Sequence, residues 1–162
     1  MDFEPRIVLV DLRVTQICSA LLASVCWVLL LSNTADAKSD QRQLAQTIVK
    51  VRTGDPSTAR EAAEHLSQIT RQMNPKSVPD QTVTDLISLL DVSDDSVRYW
   101  VARSLGNLGP RARAAIPQLQ KVLAEVDCVQ GSKTSASGIR FALTQMGVTT
   151  PPPACETSSK SN

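Results

Sequence analysis

The sequence predicts an all-α fold made of repeated helix pairs, and three observations carry this prediction. An apolar stripe with helical spacing runs through residues 94–109, between a polar start and a Gly-Pro stop. Segments before and after this stretch repeat its pattern without gaps. Alanine, leucine and valine supply most of the 42% apolar content, which suits close packing of helices.

The stretch Asp94–Gly109 reads DDSVRYWVARSLGNLG and predicts one amphipathic helix. Asp95 or Ser96 could accept a hydrogen bond from a free amide of the first turn. Gly109 suits the left-handed position after the last turn, and Pro110 cannot continue the helix. The face that we expect to be buried comprises Val97, Trp100, Val101, Leu105 and Leu108.

The same pattern recurs on both sides of this helix. A preceding helix over Ser57–Arg71 aligns when Asp55 is placed on Asp94, a shift of 94 − 55 = 39 residues. A helix over Gln81–Leu90 reappears near Ile116, and Ser135–Met146 is the weakest copy of the opening helix. With a first helix at Gln41–Val51, these segments make about three pairs. Their expected core also includes Leu86, Leu90, Leu119 and Leu123.

This pattern resembles the HEAT-repeat family, especially bacterial HEAT-like repeats of the phycobilisome-lyase type. The motif D-x-x-V-R-x-x-A-x-x-x-L-G-x-L-G is matched except for its alanine, which lies one place later at Ala102. The resemblance implies a short right-handed α-solenoid of armadillo type, and it implies that Arg98 braces neighbouring repeats through Asp55, Asp94 or Asp95. The matching residues are Asp94, Val97, Arg98, Leu105, Gly106, Leu108 and Gly109.

The N-terminal segment is expected to direct export. Ile17–Leu31 carries no charge, and its length suits a signal-peptide core better than a membrane span. The triplet Ala35-Asp36-Ala37 suits signal peptidase and predicts cleavage after Ala37. The alternative is an uncleaved membrane anchor formed by residues 17–31. The predicted domains are a leader at 1–37, a repeat domain at 38–147 and a flexible Pro/Ser/Thr-rich tail at 148–162.

The cysteines outside the leader suggest a disulfide. If residues 1–37 are removed, Cys128 and Cys155 remain, and a cysteine pair in an exported protein favours a bond between them. Two free thiols are the main alternative. The two cysteines lack CxxC redox spacing, and His65 is the only histidine, so a zinc site is a weak hypothesis.

The function that we expect is non-enzymatic protein–protein interaction in the cell envelope, periplasmic or secreted. The sequence holds no motif for catalysis, cofactor or metal. A net charge of +1 and 3% aromatic residues argue against nucleic acid. The partner is an unknown protein, with membrane contact only if the leader is retained. The alternatives, a bilin lyase or lyase subunit and a membrane-tethered structural subunit, stay open. Candidate partner-surface residues are Tyr99, Arg103, Arg111 and Arg113.

Overall fold

The computed structural model describes residues 38–126 and 133–151, and within these ranges every regular element is helical. The chain divides between Ser39 and Asp40 into two units, and the second contains the packed helices. The α-helices are α1 (38–53), α2 (Pro56–Gln72), α3 (Asp80–Ser88), α4 (Asp95–Leu108), α5 (Ile116–Val126) and α6 (Ser135–Gln145). The all-α, solenoid-like fold predicted from the sequence is therefore confirmed.

The second helices of the three pairs lie side by side. Helix α4 packs extensively against both α2 and α6, so these three helices form one layer with α4 in the middle. Helix α5 packs against α6, and α3 packs against α4. A single apolar cluster joins the pairs, because each pair alone would leave its apolar stripe exposed. The layer α2/α4/α6 is the framework on which the candidate site stands.

The predicted core residues are buried with one exception. Val97, Val101, Leu105 and Leu108 of α4 are at most 1% exposed. Leu86, Leu90, Leu119 and Leu123 of the neighbouring helices are also buried. Trp100 is the exception, since it is half-buried and only borders the core.

The starts of α2 and α4 are set by aspartates that accept hydrogen bonds from first-turn amides. Asp55 caps α2, accepting from the amides of Ser57 and Thr58 at 3.0 and 3.2 Å. Asp94 caps α4, accepting from the Val97 amide at 3.0 Å. The expected caps, Asp95 and Ser96, are wrong, because α4 begins at Asp95 and the extended residue before it is Asp94.

The expected stop after α4 is a glycine-dependent turn. Gly109 has φ +53° and ψ −131°, a combination that residues with a Cβ rarely adopt. The chain then continues over Gly109–Ala115 as a 3-10 segment, kinked at Ala112 (φ −97°, ψ 19°), that leads directly into α5. Shorter 3-10 segments, Pro75–Ser77 and Leu89–Asp91, bracket α3.

Several predictions lie outside the described residues. These are the leader at 1–37 with its alternative anchor at 17–31, the candidate disulfide between Cys128 and Cys155, and most of the tail. Within the described ranges, no helix has the length and apolar character needed to span a bilayer.

Candidate functional site

The candidate site is the solvent-facing side of the α2/α4/α6 layer. On α4, this side carries a stripe of residues that are exposed or half-buried: Ser96, Trp100, Arg103 and Asn107. The stripe recurs at helical spacing because the buried residues of α4 occupy the opposite face. Whatever binds this layer therefore meets α4 in the centre and α2 and α6 at its flanks.

Polar side chains reinforce the contact between α2 and α4 at both ends. The Asn107 side-chain amide donates to the Ser67 carbonyl at 2.9 Å and to the Thr70 hydroxyl at 3.2 Å. At the other end, the Arg60 guanidinium binds the Asp94 carboxylate, with Nη2 at 2.6 Å from Oδ2. These contacts position α2 against α4 at both ends of the helices.

The contact between α4 and α6 is made instead by close backbone approach. A Cβ placed at Gly138 of α6 would lie 2.7 Å from the Tyr99 carbonyl oxygen of α4. A Cβ placed at Gly106 of α4 would lie 2.7 Å from the Phe141 ring and 3.0 Å from the Ala142 Cα. Each helix thus supplies one glycine where the other helix comes nearest.

Asp95 adds a polar tie on the same side. Its carboxylate accepts from the Ser135 amide at 3.2 and 3.3 Å, and also from the Ser135 hydroxyl. Ser135 begins α6 and is fully buried. Adjacent aspartates therefore connect α4 to different neighbours: Asp94 to α2 and Asp95 to α6.

Both capping aspartates have lowered pKa values. Hydrogen bonds from Thr58, and next from Ser57, lower the pKa of Asp55 to about 2. The hydrogen bond from Arg60 lowers the pKa of Asp94, against an opposing effect of burial. The same contact raises the pKa of Arg60. All three groups are charged at neutral pH.

The expected roles of Tyr99 and Trp100 are reversed. Tyr99, a candidate for the partner surface, is only 9% exposed because α6 covers it at Gly138. Trp100, expected in the core, faces the layer surface and is half-buried. Their ring centroids are 4.7 Å apart with the ring planes at 66°. Since α4 has helices on two sides, the residue facing α6 is the one that becomes buried.

Arg103 lies at the solvent-facing surface, as expected, in a specific setting. Its guanidinium carbon is 3.8 Å from the centroid of the Phe141 ring on α6. The exposed Lys133 places its ammonium nitrogen 5.7 Å from the Trp100 ring centroid. We call these four residues, Trp100, Arg103, Lys133 and Phe141, the cation–aromatic patch.

Arg111 and Arg113 were expected to contact a partner, and the structure gives Arg111 an internal role. Arg111 Nη1 binds the Asp80 carboxylate at 2.5 Å, and its Nη2 donates to the Val78 carbonyl at 2.9 Å. Arg111 has this internal role, rather than the expected contact with a partner, because the 3-10 connection holds it against the start of α3. Arg113 is exposed and makes a long contact, 3.4 Å, to the Met146 carbonyl.

Among the described residues, Arg98 pairs with no acidic side chain, contrary to expectation. It donates to the Leu90 carbonyl at 3.1 Å and to the Val92 carbonyl at 2.6 Å. These carbonyls belong to the turn that follows α3, so Arg98 closes the turn inside its own helix pair. The ion pair that joins neighbouring helix pairs is formed instead by Arg60 of α2 and Asp94, the residue that caps α4.

No reactive arrangement stands out in residues 38–126 and 133–151. In this part of the chain no group of three or more histidine, cysteine or acidic side chains could hold a metal ion. His65 is exposed and borders two shallow clefts of about 130 and 270 Å³ between α1 and α2. Asp91 accepts a hydrogen bond from Gln118 at 2.6 Å, so it also serves helix contacts.

Three positions that shape the site were not singled out from the sequence: Asn107, Gly138 and Phe141. A glycine inside a helical pattern is itself a signal of close packing, and Gly138 carried that signal. Phe141 and Asn107 carried none, because their roles depend on which helix lies beside them.

The comparison with known families agrees with this geometry. Residues 97–125 match the family described as PBS lyase HEAT-like repeat. The match runs from α4 through the 3-10 connection into α5, and it confirms a HEAT-like repeat in this stretch. No curated protein and no solved structure matches the chain.

Proposed function

We propose that this protein is a non-enzymatic scaffold that binds a partner protein through its α2/α4/α6 layer. The observation that carries the proposal is that α4 is fixed on both sides, by Asn107 against α2 and by Gly138 against α6. A surface held in this way is formed before the partner arrives, so binding loses little conformational entropy. Helical repeats expose extended surfaces of this kind.

Repeat positions on the layer support this proposal. Leu66, Leu105 and Leu143 occupy equivalent positions of α2, α4 and α6 and are all fully buried. The outward position two residues before each leucine holds Glu64, Arg103 and Phe141. Equivalent repeat positions thus carry the same residue on the buried side and different residues on the outward side, as a specific binding surface requires.

Site-specific photocrosslinking tests the proposal. A crosslinking residue is placed on the layer at Gln68, Ser96 or Gln145, and on the other helices at Thr84 or Lys121, all of them exposed or half-buried. We expect adducts of one discrete size from the three layer positions, and none from the two control positions. Equal crosslinking from both sets, or adducts from the controls alone, would contradict the proposal.

We further propose that the protein acts in the cell envelope after cleavage behind Ala37. The support is the uncharged run Ile17–Leu31 and the small residues of the Ala35-Asp36-Ala37 triplet. N-terminal sequencing of the exported protein tests this, and a start at Lys38 is expected. Retention of residues 1–37 in the membrane fraction would favour the tethered structural subunit instead.

A bilin lyase, or a lyase subunit, is the second candidate. It rests on the family description, which names a lyase. Incubating the protein with a free bilin and an acceptor protein tests the idea, with absorbance and covalent attachment as readouts. A covalent adduct that forms only in the presence of this protein would establish the lyase, and we expect none.

A further inference from the structure

Within residues 38–126 and 133–151, the positive charges of the cation–aromatic patch form no ion pair with an acidic side chain. The two ion pairs among residues 38–126 and 133–151 are Arg60–Asp94 and Arg111–Asp80, and neither includes Arg103 or Lys133. The nearest acidic residue of α4 in sequence, Asp95, is occupied by Ser135. The sequence of α6, SASGIRFALTQ, contains no acidic residue.

Arg103 packs over an aromatic ring and has no hydrogen-bond or ion-pair partner in the part of the chain that the structure describes. Its guanidinium stacks on Phe141, and its Nε is buried with no hydrogen-bond partner among the described residues. Stacking on an aromatic ring uses the flat face of the guanidinium and leaves its edge for hydrogen bonds. Because Nε is buried, a partner carboxylate would accept its two side-by-side hydrogen bonds from the Nη groups.

The aromatic residues supply the apolar part of the same surface. Trp100 is half-buried beside Arg103 on α4, and Lys133 extends across its ring. Tryptophan and arginine are the residues that most often dominate the binding energy of protein interfaces. A matching ligand therefore carries carboxylates next to apolar side chains.

We propose that the cation–aromatic patch binds an acidic, apolar-containing segment of the partner protein. The inference rests on the proposed scaffold function and names the chemistry of its partner. A nucleic acid fits less well, because the patch offers two cations outside internal ion pairs, Arg103 and Lys133, whereas a nucleic acid is bound through a longer row of phosphate contacts.

Fluorescence anisotropy on the full chain tests the proposal with defined probes. One fluorescein-labelled peptide alternates Glu with Leu, and its matched control has Gln at every Glu position. We expect the Glu peptide to bind at least about ten-fold more tightly than the Gln peptide, with affinity that falls as salt is raised. Equal affinity for the two peptides would overturn the proposal.

Paired charge variants locate the binding. Arg103→Gln/Lys133→Gln should weaken binding of the Glu peptide by about ten-fold or more, since charge-assisted hydrogen bonds are lost. The charge-matched control Arg71→Gln/Lys121→Gln alters exposed residues elsewhere and should leave affinity unchanged. The single variant Lys133→Gln, at an exposed position, should weaken binding a few-fold without affecting folding. Equal losses in the double variant and its control would refute the assignment.

Two further results separate the possible failures. Binding of a single-stranded oligothymidylate more tightly than the Glu peptide would overturn the inference in favour of a nucleic acid. If layer crosslinks form while the Glu peptide fails to bind, the scaffold function stands and the acidic chemistry is wrong. If neither occurs, both proposals fall.

Discussion

The two sides of α4 are held by different physical means. Toward α2 the contact combines buried apolar residues with polar side chains, namely Asn107 and the Arg60–Asp94 ion pair. Toward α6 the backbones approach so closely that Gly138 has no room for a Cβ. Equivalent repeat positions show the change directly, because Ser67 on α2 corresponds to Gly106 on α4 (106 − 67 = 39). One repeat pattern thus supports a contact with room for a serine side chain toward α2 and a rigid, close-packed contact toward α6.

The difference has a consequence for the binding surface. A close-packed contact cannot accept larger side chains, since packed interiors tolerate little added volume. The cation–aromatic patch lies across the rigid contact, with Trp100 and Arg103 on α4 and Phe141 on α6. Its geometry is therefore set by this close-packed contact.

The largest effect is expected from Gly138→Val. The side chain would overlap the Tyr99 carbonyl and ring, so we expect a loss of about 3 kcal/mol in the free energy of unfolding. Gly138→Ala should lose less, because alanine's better helix propensity offsets part of the overlap. Urea unfolding followed by circular dichroism measures both. Ala45→Val, at an exposed position of α1, is the control, and a similar loss there would contradict the close approach.

Removal of the polar tie to α6 should have the next largest effect. In Asp95→Ala the fully buried Ser135 loses the acceptor for its amide and hydroxyl, so we expect a loss of about 2 kcal/mol. Asp95→Asn keeps one acceptor oxygen and should restore part of that stability. The same unfolding assay applies. An unchanged free energy of unfolding in Asp95→Ala would contradict this prediction and indicate that water replaces the carboxylate.

On the α2 side, Asn107→Ala should cost about 1 kcal/mol, since a half-buried amide loses neutral hydrogen bonds to α2. Gln68 follows Ser67 on α2 and is exposed, so Gln68→Ala is the control. It should change the free energy of unfolding by less than about 0.5 kcal/mol. Crosslinking from Ser96 should survive Asn107→Ala, because the extensive contact between α4 and α6 is unchanged. A loss larger than that of Asp95→Ala would reverse the proposed ranking of the two contacts.

The repeated features of this chain were predictable, and the contacts between repeats were not. Helical spacing identified α4 and its buried face, because residues such as Leu105 must lie inside any stack of helices. The exchange of roles between Tyr99 and Trp100 depends on where α6 crosses α4, which no local pattern encodes. The sequence predicts a partner contact for Arg111 because it lies in a connection between helix pairs. In the structure this connection is a 3-10 segment packed against α3.

The smallest effect is expected from Asp94→Asn, which keeps a capping oxygen but removes the charge attraction to Arg60. The ion pair is partly exposed, with 54% of the Arg60 side chain and 26% of the Asp94 side chain accessible, so the loss at neutral pH should be about 0.5 kcal/mol. Because Asp94 has a lowered pKa in the folded state, its charge stabilises the fold above the ordinary value of 3.8. That contribution disappears as pH falls through the lowered pKa. Urea midpoints of wild type and variant should therefore differ at pH 7 and converge in acid; a gap that widens on acidification would show that Asp94 is not held as a carboxylate by Arg60.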